Sequence, residues 1–125
     1  GANHPDTLSS LNNLAVLLSA KGDYAQAEPL YRRALKGREA VLGANHPDTL
    51  SSLNNLAVLL YTKGDHAQAE PLYRLGIVGF FQISQQMGQE HPDFQTVAQN
   101  YIELLMQMGL SKDQALVQTQ NMLGL

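Results

Sequence analysis

Apolar residues recur at spacings of three and four near the start of the chain, the spacing of one face of an α-helix. The first apolar stripe consists of Leu11, Leu14, Ala15 and Leu18. The second consists of Tyr24, Ala27, Leu30, Tyr31, Ala34 and Leu35. Pro5 suits a first helical turn, Gly22 suits a helix end and Asp23 can cap the next helix. The pattern therefore predicts helices from Pro5 to about Lys21 and from about Asp23 to Leu42.

The pattern returns because the sequence itself repeats. Residues 1–32 and 43–74 are identical except at three aligned pairs, which are Ser19/Tyr61, Ala20/Thr62 and Tyr24/His66. A weaker third copy begins at Gly88 and keeps the His-Pro-Asp signature. We predict an all-α solenoid of three helix-turn-helix repeats, with six helices in a single domain over 1–125. The repeats are 1–42, 43–87 and 88–125, and the last helix, about Lys112 to Leu123, is expected to be a polar cap.

The second copy departs from the first between Leu75 and Ile83. Val78, Phe80 and Phe81 replace Lys36, Arg38 and Glu39 of the first copy. Either the third repeat covers at least one phenylalanine, which we favour, or the apolar residues meet a second copy of the chain. Adjacent residues on a helix point about 100° apart, so one packing stripe is not expected to bury both phenylalanines fully. We therefore predict a homo-oligomer that uses either this apolar face of the fourth helix or the ends of the array, and the candidate interface residues are Leu17, Val78, Phe80 and Phe81.

Composition excludes several classes of function. Apolar residues make up 44% of the chain, enough for a core, and the net charge of −3 gives no basic surface for nucleic acid. There is no cysteine, and no apolar run approaches the length of about 18 residues needed to cross a membrane. We expect a cytoplasmic protein with no cofactor. Because the chain opens inside a repeat linker, we also expect it to be part of a longer array.

One histidine recurs in each repeat, at His4, His46 and His91. They lie on successive helix starts, about 10 Å apart at helix-packing distances, so one metal ion cannot bridge them. We assign them a structural role in fastening the linkers. The sequence also shows no nucleophile elbow and no phosphate-binding loop, so we predict that the chain is not an enzyme.

The unit resembles the tetratricopeptide repeat in its order of large and small residues. The resemblance is carried by Leu11, Leu14, Ala15, Leu18, Ala27, Tyr31 and Ala34. With 42 residues, LNNLA, AEPLYRRAL and a His-Pro-Asp-Thr linker, the unit is similar to the type found in kinesin light chains and bacterial repeat arrays. The resemblance implies a right-handed superhelix whose concave groove, lined by the first helix of each repeat, binds peptide segments of partner proteins.

Polar residues lie opposite the core stripe of each first helix and are expected to line this groove. The predicted groove residues are Ser9, Asn12, Asn13, Val16, Ser51, Asn54, Asn55, Val58, Tyr61, Gln99, Asn100 and Glu103. Side-chain amides both donate and accept hydrogen bonds, so an asparagine ladder can pair with the backbone of an extended peptide. Tyr61 can instead pack on neighbouring helices. The alternative function is a structural or self-assembling spacer of a longer repeat array, which associates through the array ends or through the apolar face of the fourth helix.

Overall fold

The computed structural model describes residues 1–125 and contains six α-helices and no β-strand. The helices are α1 (Pro5–Ala20), α2 (Tyr24–Leu42), α3 (Pro47–Thr62), α4 (His66–Met87), α5 (Phe94–Gln107) and α6 (Lys112–Met122). We call α1, α3 and α5 the A helices, and α2, α4 and α6 the B helices. The prediction of six helices is confirmed, and the fourth helix ends at Met87 as predicted.

Side chains cap the helices as the sequence predicts. The Nδ1 atoms of His4, His46 and His91 each accept a hydrogen bond, at 3.1 Å, from the backbone N–H of the aspartate two residues on. Each bond satisfies a donor that has no partner inside the helix. The structural role predicted for the three histidines is confirmed. Ser111 forms a capping box with Gln114 at the start of α6.

Each A helix pairs closely with the B helix that follows it. In the first two hairpins the crossing is lined by alanines with no exposed surface, which are Ala15, Ala27, Ala57 and Ala69. Because alanine has no side chain beyond Cβ, the two backbones can approach closely. Each B helix also packs on the next A helix, α2 on α3 and α4 on α5, and this contact stacks the hairpins.

Burial differs between equivalent positions of the first two repeats. Leu56 of α3 is 1% exposed, whereas its equivalent in α1, Leu14, is 46% exposed. Leu59 and Leu17 differ in the same way, at 3% and 52%. The reason is that α2 covers one side of α3, and no helix of this chain covers that side of α1. The prediction that Leu14 lies in the core is therefore wrong.

The divergent segment of α4 fastens the third linker. Phe80 is fully buried, and its ring centroid lies 4.8 Å from that of His91. The Ser84 hydroxyl accepts a hydrogen bond from the His91 backbone N–H at 2.8 Å. In the first repeat the residue equivalent to Phe80 is Arg38, which donates to Ser52 Oγ at 2.8 Å. This position therefore holds the following repeat in both cases, and half-buried Arg38 is not part of a fully solvated face as the sequence suggested.

Candidate functional site

The predicted groove residues lie on α1, α3 and α5, and we call the surface they share the A-helix face. Its half-buried members are Asn12, Ser51, Asn54, Asn55, Tyr61 and Asn100. Its exposed members are Ser9, Asn13, Val16, Val58, Gln99 and Glu103. All of them therefore remain at least partly accessible, which a binding surface requires.

Two of the predicted asparagines bond to each other across the first repeat junction. Asn55 Nδ2 donates to Asn12 Oδ1 at 3.1 Å. This bond ties α3 to α1 and brings the two A helices side by side. It also occupies one acceptor and one donor of the ladder, so these two side chains are less free to pair with a ligand than the sequence suggested.

Asn54 lies in a different environment. It lines a cleft between α3 and α5 of about 170 Å³, together with Ser51, Asn55, Phe80, Asp93, Thr96 and Val97. Its Oδ1 atom is buried and has no hydrogen-bond partner. A buried acceptor without a partner costs about 1–3 kcal/mol, so the cleft is suited to a ligand that brings a donor.

A second cleft lies between the end of α1, the start of α2 and the second half of α3. Its volume is about 260 Å³, and its lining residues are Ser19, Ala20, Tyr24, Tyr31, Asn55, Val58, Leu59 and Thr62. Only Asn55 and Val58 of this set were predicted as site residues. Ser19 and Tyr24 were missed, although both belong to the three positions at which residues 1–32 differ from residues 43–74.

The charges around the A-helix face are mainly acidic. Glu103 is exposed on α5, and burial together with its carboxylate raises the pKa of Tyr61. Lys63, at the end of α3, forms an ion pair of 2.6 Å with Glu28 of α2. The hydrogen bond from Lys63 lowers the pKa of Glu28. The lysine is therefore engaged within the fold, between the first and second repeats.

The four residues of the predicted oligomer interface differ in how accessible they are. Phe80 lies entirely inside the chain, which confirms that at least one phenylalanine joins the core and removes this residue from any interface. Phe81 is half-buried, with its ring 6.0 Å from that of Phe94. Val78 is half-buried and Leu17 is exposed, so Leu17 is the most accessible of the four.

Two further features bear on the kind of protein this is. No group of three or more histidine, cysteine, aspartate or glutamate side chains is placed to hold a metal ion. None of the six helices combines the length and the apolar character needed to cross a membrane.

Stacked helical hairpins with alanine-lined crossings define a helical-repeat protein. A sequence profile described as "Tetratricopeptide repeat" matches residues 6–77, and the chain belongs to the tetratricopeptide repeat family. Repeats of this family generally mediate protein–protein interactions and are typically non-enzymatic scaffolds. The family and the fold class predicted from the sequence are both confirmed.

Solved structures share the fold. The crystal structure of BtubC (BKLC) from P. vanneervenii matches with a TM-score of 0.80 and 22% identity, over 97% of this chain and 48% of that one. A Podosopora anserina putative kinesin light chain with nearly identical TPR-like repeats matches with a TM-score of 0.67 and 22% identity, over 98% and 66%. This chain thus spans about half of the first protein and about two thirds of the second. No curated protein sequence matches it.

Proposed function

We propose that the chain is a protein-interaction module that binds an extended peptide segment along the A-helix face, and that it acts by binding rather than by catalysis. The observation that carries this proposal is the buried, unpartnered Oδ1 atom of Asn54 in the cleft between α3 and α5. The equivalent atom of the first repeat, Asn12 Oδ1, already accepts from Asn55. Once the Asn54 side chain turns so that Oδ1 reaches the cleft, a backbone N–H of an extended peptide supplies the missing donor without requiring a particular peptide sequence.

The test replaces Asn54 with alanine. Peptides are first selected from a displayed random library on the parent chain, and their Kd values are then measured for parent and variant. We expect Asn54→Ala to weaken binding about tenfold, because the peptide donor then loses its acceptor. Asn121→Ala, at an exposed position on α6, is the matched control and should leave Kd unchanged. Selected peptides that bind the Asn54 variant as tightly as the parent would count against the proposal.

A second candidate function is self-association through α1. The observation that favours it is the exposure of Leu14 and Leu17, whose equivalents Leu56 and Leu59 are almost fully buried under α2. An apolar helix face that is covered in one repeat and bare in another is a suitable surface for a second copy of the chain. This function concerns a different surface from the A-helix face, so the two are tested separately.

A further inference from the structure

The first two repeats differ at three positions among residues 1–32, and the structure brings all three together. Ser19, Ala20 and Tyr24 all line the cleft between α1, α2 and α3. Ser19 and Ala20 come from the end of α1, and Tyr24 comes from the start of α2. Because the two repeats are otherwise identical over this range, all of their sequence differences within it lie at this cleft.

The walls of this cleft set the chemistry of what it can hold. Tyr24, Tyr31, Val58 and Leu59 supply aromatic and aliphatic surface, and no charged side chain lines the cleft. Burying a charge there without a partner would be costly, whereas an apolar side chain gains from leaving water. The Ser19 hydroxyl is buried and has no partner, so it does not reach the open part of the cleft, and the lining that a ligand meets is mainly aromatic and aliphatic.

The equivalent place in the second repeat is built differently. Tyr61 stands where the first repeat has Ser19, and its ring stacks on His66 with centroids 5.2 Å apart and planes 21° apart. His66 in turn stands where the first repeat has Tyr24. A large side chain at the position of the small serine therefore puts a stacked aromatic pair, rather than a small side chain beside an aromatic ring, at this place.

The cleft is continuous with the peptide site. Asn55 lines both this cleft and the cleft that contains Asn54, so the two lie on either side of one α3 side chain. Neighbouring packed helices lie about 8–10 Å apart, which corresponds to about three residues of extended peptide. A peptide that pairs with Asn54 can thus place a side chain a few residues away into the cleft at Ser19.

We propose that the cleft formed by Ser19, Ala20 and Tyr24 is a specificity pocket that takes an apolar side chain of the bound peptide. In this assignment the small Ser19 side chain leaves room for the peptide side chain, and the Tyr61 and His66 pair gives the second repeat a different preference. The proposal rests on the peptide-binding function proposed above and names the residues that make it selective. Repeats with the same fold can then bind different peptide side chains, because they differ at these three positions.

The chain provides its own test, because the second repeat carries the alternative residues in a stretch of sequence that is otherwise identical over residues 43–74. The variant Ser19→Tyr/Ala20→Thr/Tyr24→His converts the first cleft to the second type. Displayed random peptides of about twelve residues, long enough to cross three repeats, are selected on the parent chain. We expect them to share one apolar position, and we expect the triple variant to weaken their binding about tenfold or more.

A double-mutant cycle separates the pocket from the rest of the surface. Replacing the shared apolar peptide residue with alanine should weaken binding to the parent but not to the triple variant. The reverse swap, Tyr61→Ser/His66→Tyr, which leaves Thr62 of the first cleft unchanged, should add a second apolar preference to newly selected peptides. If the triple variant binds as well as the parent while Asn54→Ala binds weakly, the specificity-pocket proposal is wrong and the peptide-binding proposal is supported. If the parent selects no peptide, both proposals are wrong.

Discussion

Gly79 of α4 lies where a leucine of the neighbouring helix packs directly on the helix backbone. A Cβ atom built on Gly79 would lie 2.6 Å and 2.7 Å from the two methyl carbons of Leu50 and 3.2 Å from its Cγ. Leu50 is itself buried, so it has little room to move. The same pairing occurs in the first repeat between Gly37 and Leu8. Glycine is therefore required at this position for steric reasons, although it is a poor helix former.

Replacing Gly79 with alanine should lower stability. Alanine favours a helix interior by about 1 kcal/mol over glycine, but overpacking against Leu50 costs about 1–3 kcal/mol. We expect a net loss, measured as a lower denaturant midpoint at unchanged slope. Gly76→Ala in the same helix is the control, because its Cβ would meet only Val97 Cγ1, at 3.4 Å, and the first repeat already has Ala34 there. A Gly79 variant as stable as the parent would show that Leu50 can move aside.

At the scale of the helices, the sequence predicts where each helix begins and ends better than it predicts which residues of the helix are buried. Asp23 and Ser111 cap the helices that they precede, because capping depends on residues two or three positions away. Exposure of Leu14 could not be predicted, since it depends on whether another helix covers α1. The hydrogen bond between Asn12 and Asn55 could not be predicted either. Hydrophobic periodicity predicts which face of a helix is buried, but not how that helix is rotated relative to the next repeat.

The candidate site was also predicted only in part, because the sequence reports spacing along one helix but not contacts between helices. Its asparagines were predicted because they recur opposite the core stripe at a fixed spacing. The cleft at Ser19 was not predicted, because it joins residues of three helices and one of them belongs to the next repeat. The available signal was the small set of differences between near-identical repeats, which marks positions where the fold tolerates change.

The contact between α2 and the end of α3 gives a pH dependence with a definite sign. Because Lys63, and to a smaller extent Arg32, lower the pKa of Glu28 in the folded chain, the ion pairs of Glu28 stabilise the fold above the ordinary glutamate pKa of about 4.3. The contribution is lost as the pH falls through the lower folded value. All three side chains are partly accessible to solvent, so the contribution should be about 0.5 kcal/mol.

The measurement compares thermal unfolding of the parent and Glu28→Gln at pH 7 and at pH 3. We expect the variant to be less stable at pH 7 and the difference to be smaller at pH 3, because below the ordinary glutamate pKa the unfolded parent binds a proton that the folded carboxylate resists. Glu39→Gln, at an exposed position on α2, is the control and should differ little from the parent at either pH. A Glu28 difference that is the same at both pH values would mean that the ion pair is not its source.

At the scale of the whole molecule, the two ends of the array differ. The α1 end presents exposed Leu14 and Leu17. The α6 end exposes Leu116 and Val117, but α6 has only 11 residues, against 19 for α2. In head-to-tail stacking, α6 of one copy would have to cover α1 of the next as α2 covers α3, and the shorter helix offers less surface for this. Two α1 faces, in contrast, can meet around a two-fold axis, which closes a dimer rather than extending a fibre.

We therefore predict a concentration-dependent dimer through α1, which Leu17→Glu should dissociate. Two leucine faces bury apolar area when they meet, whereas a buried glutamate without a partner opposes the contact. Sedimentation across a concentration series measures the mass, and unfolding of dilute samples checks that the exposed substitution leaves the fold intact. Leu75→Glu, at an exposed position on α4, is the matched control and should leave the dimer unchanged. A parent that stays monomeric at high concentration would contradict the dimer. A dimer lost with Leu75→Glu but kept with Leu17→Glu would show that the interface is not on α1.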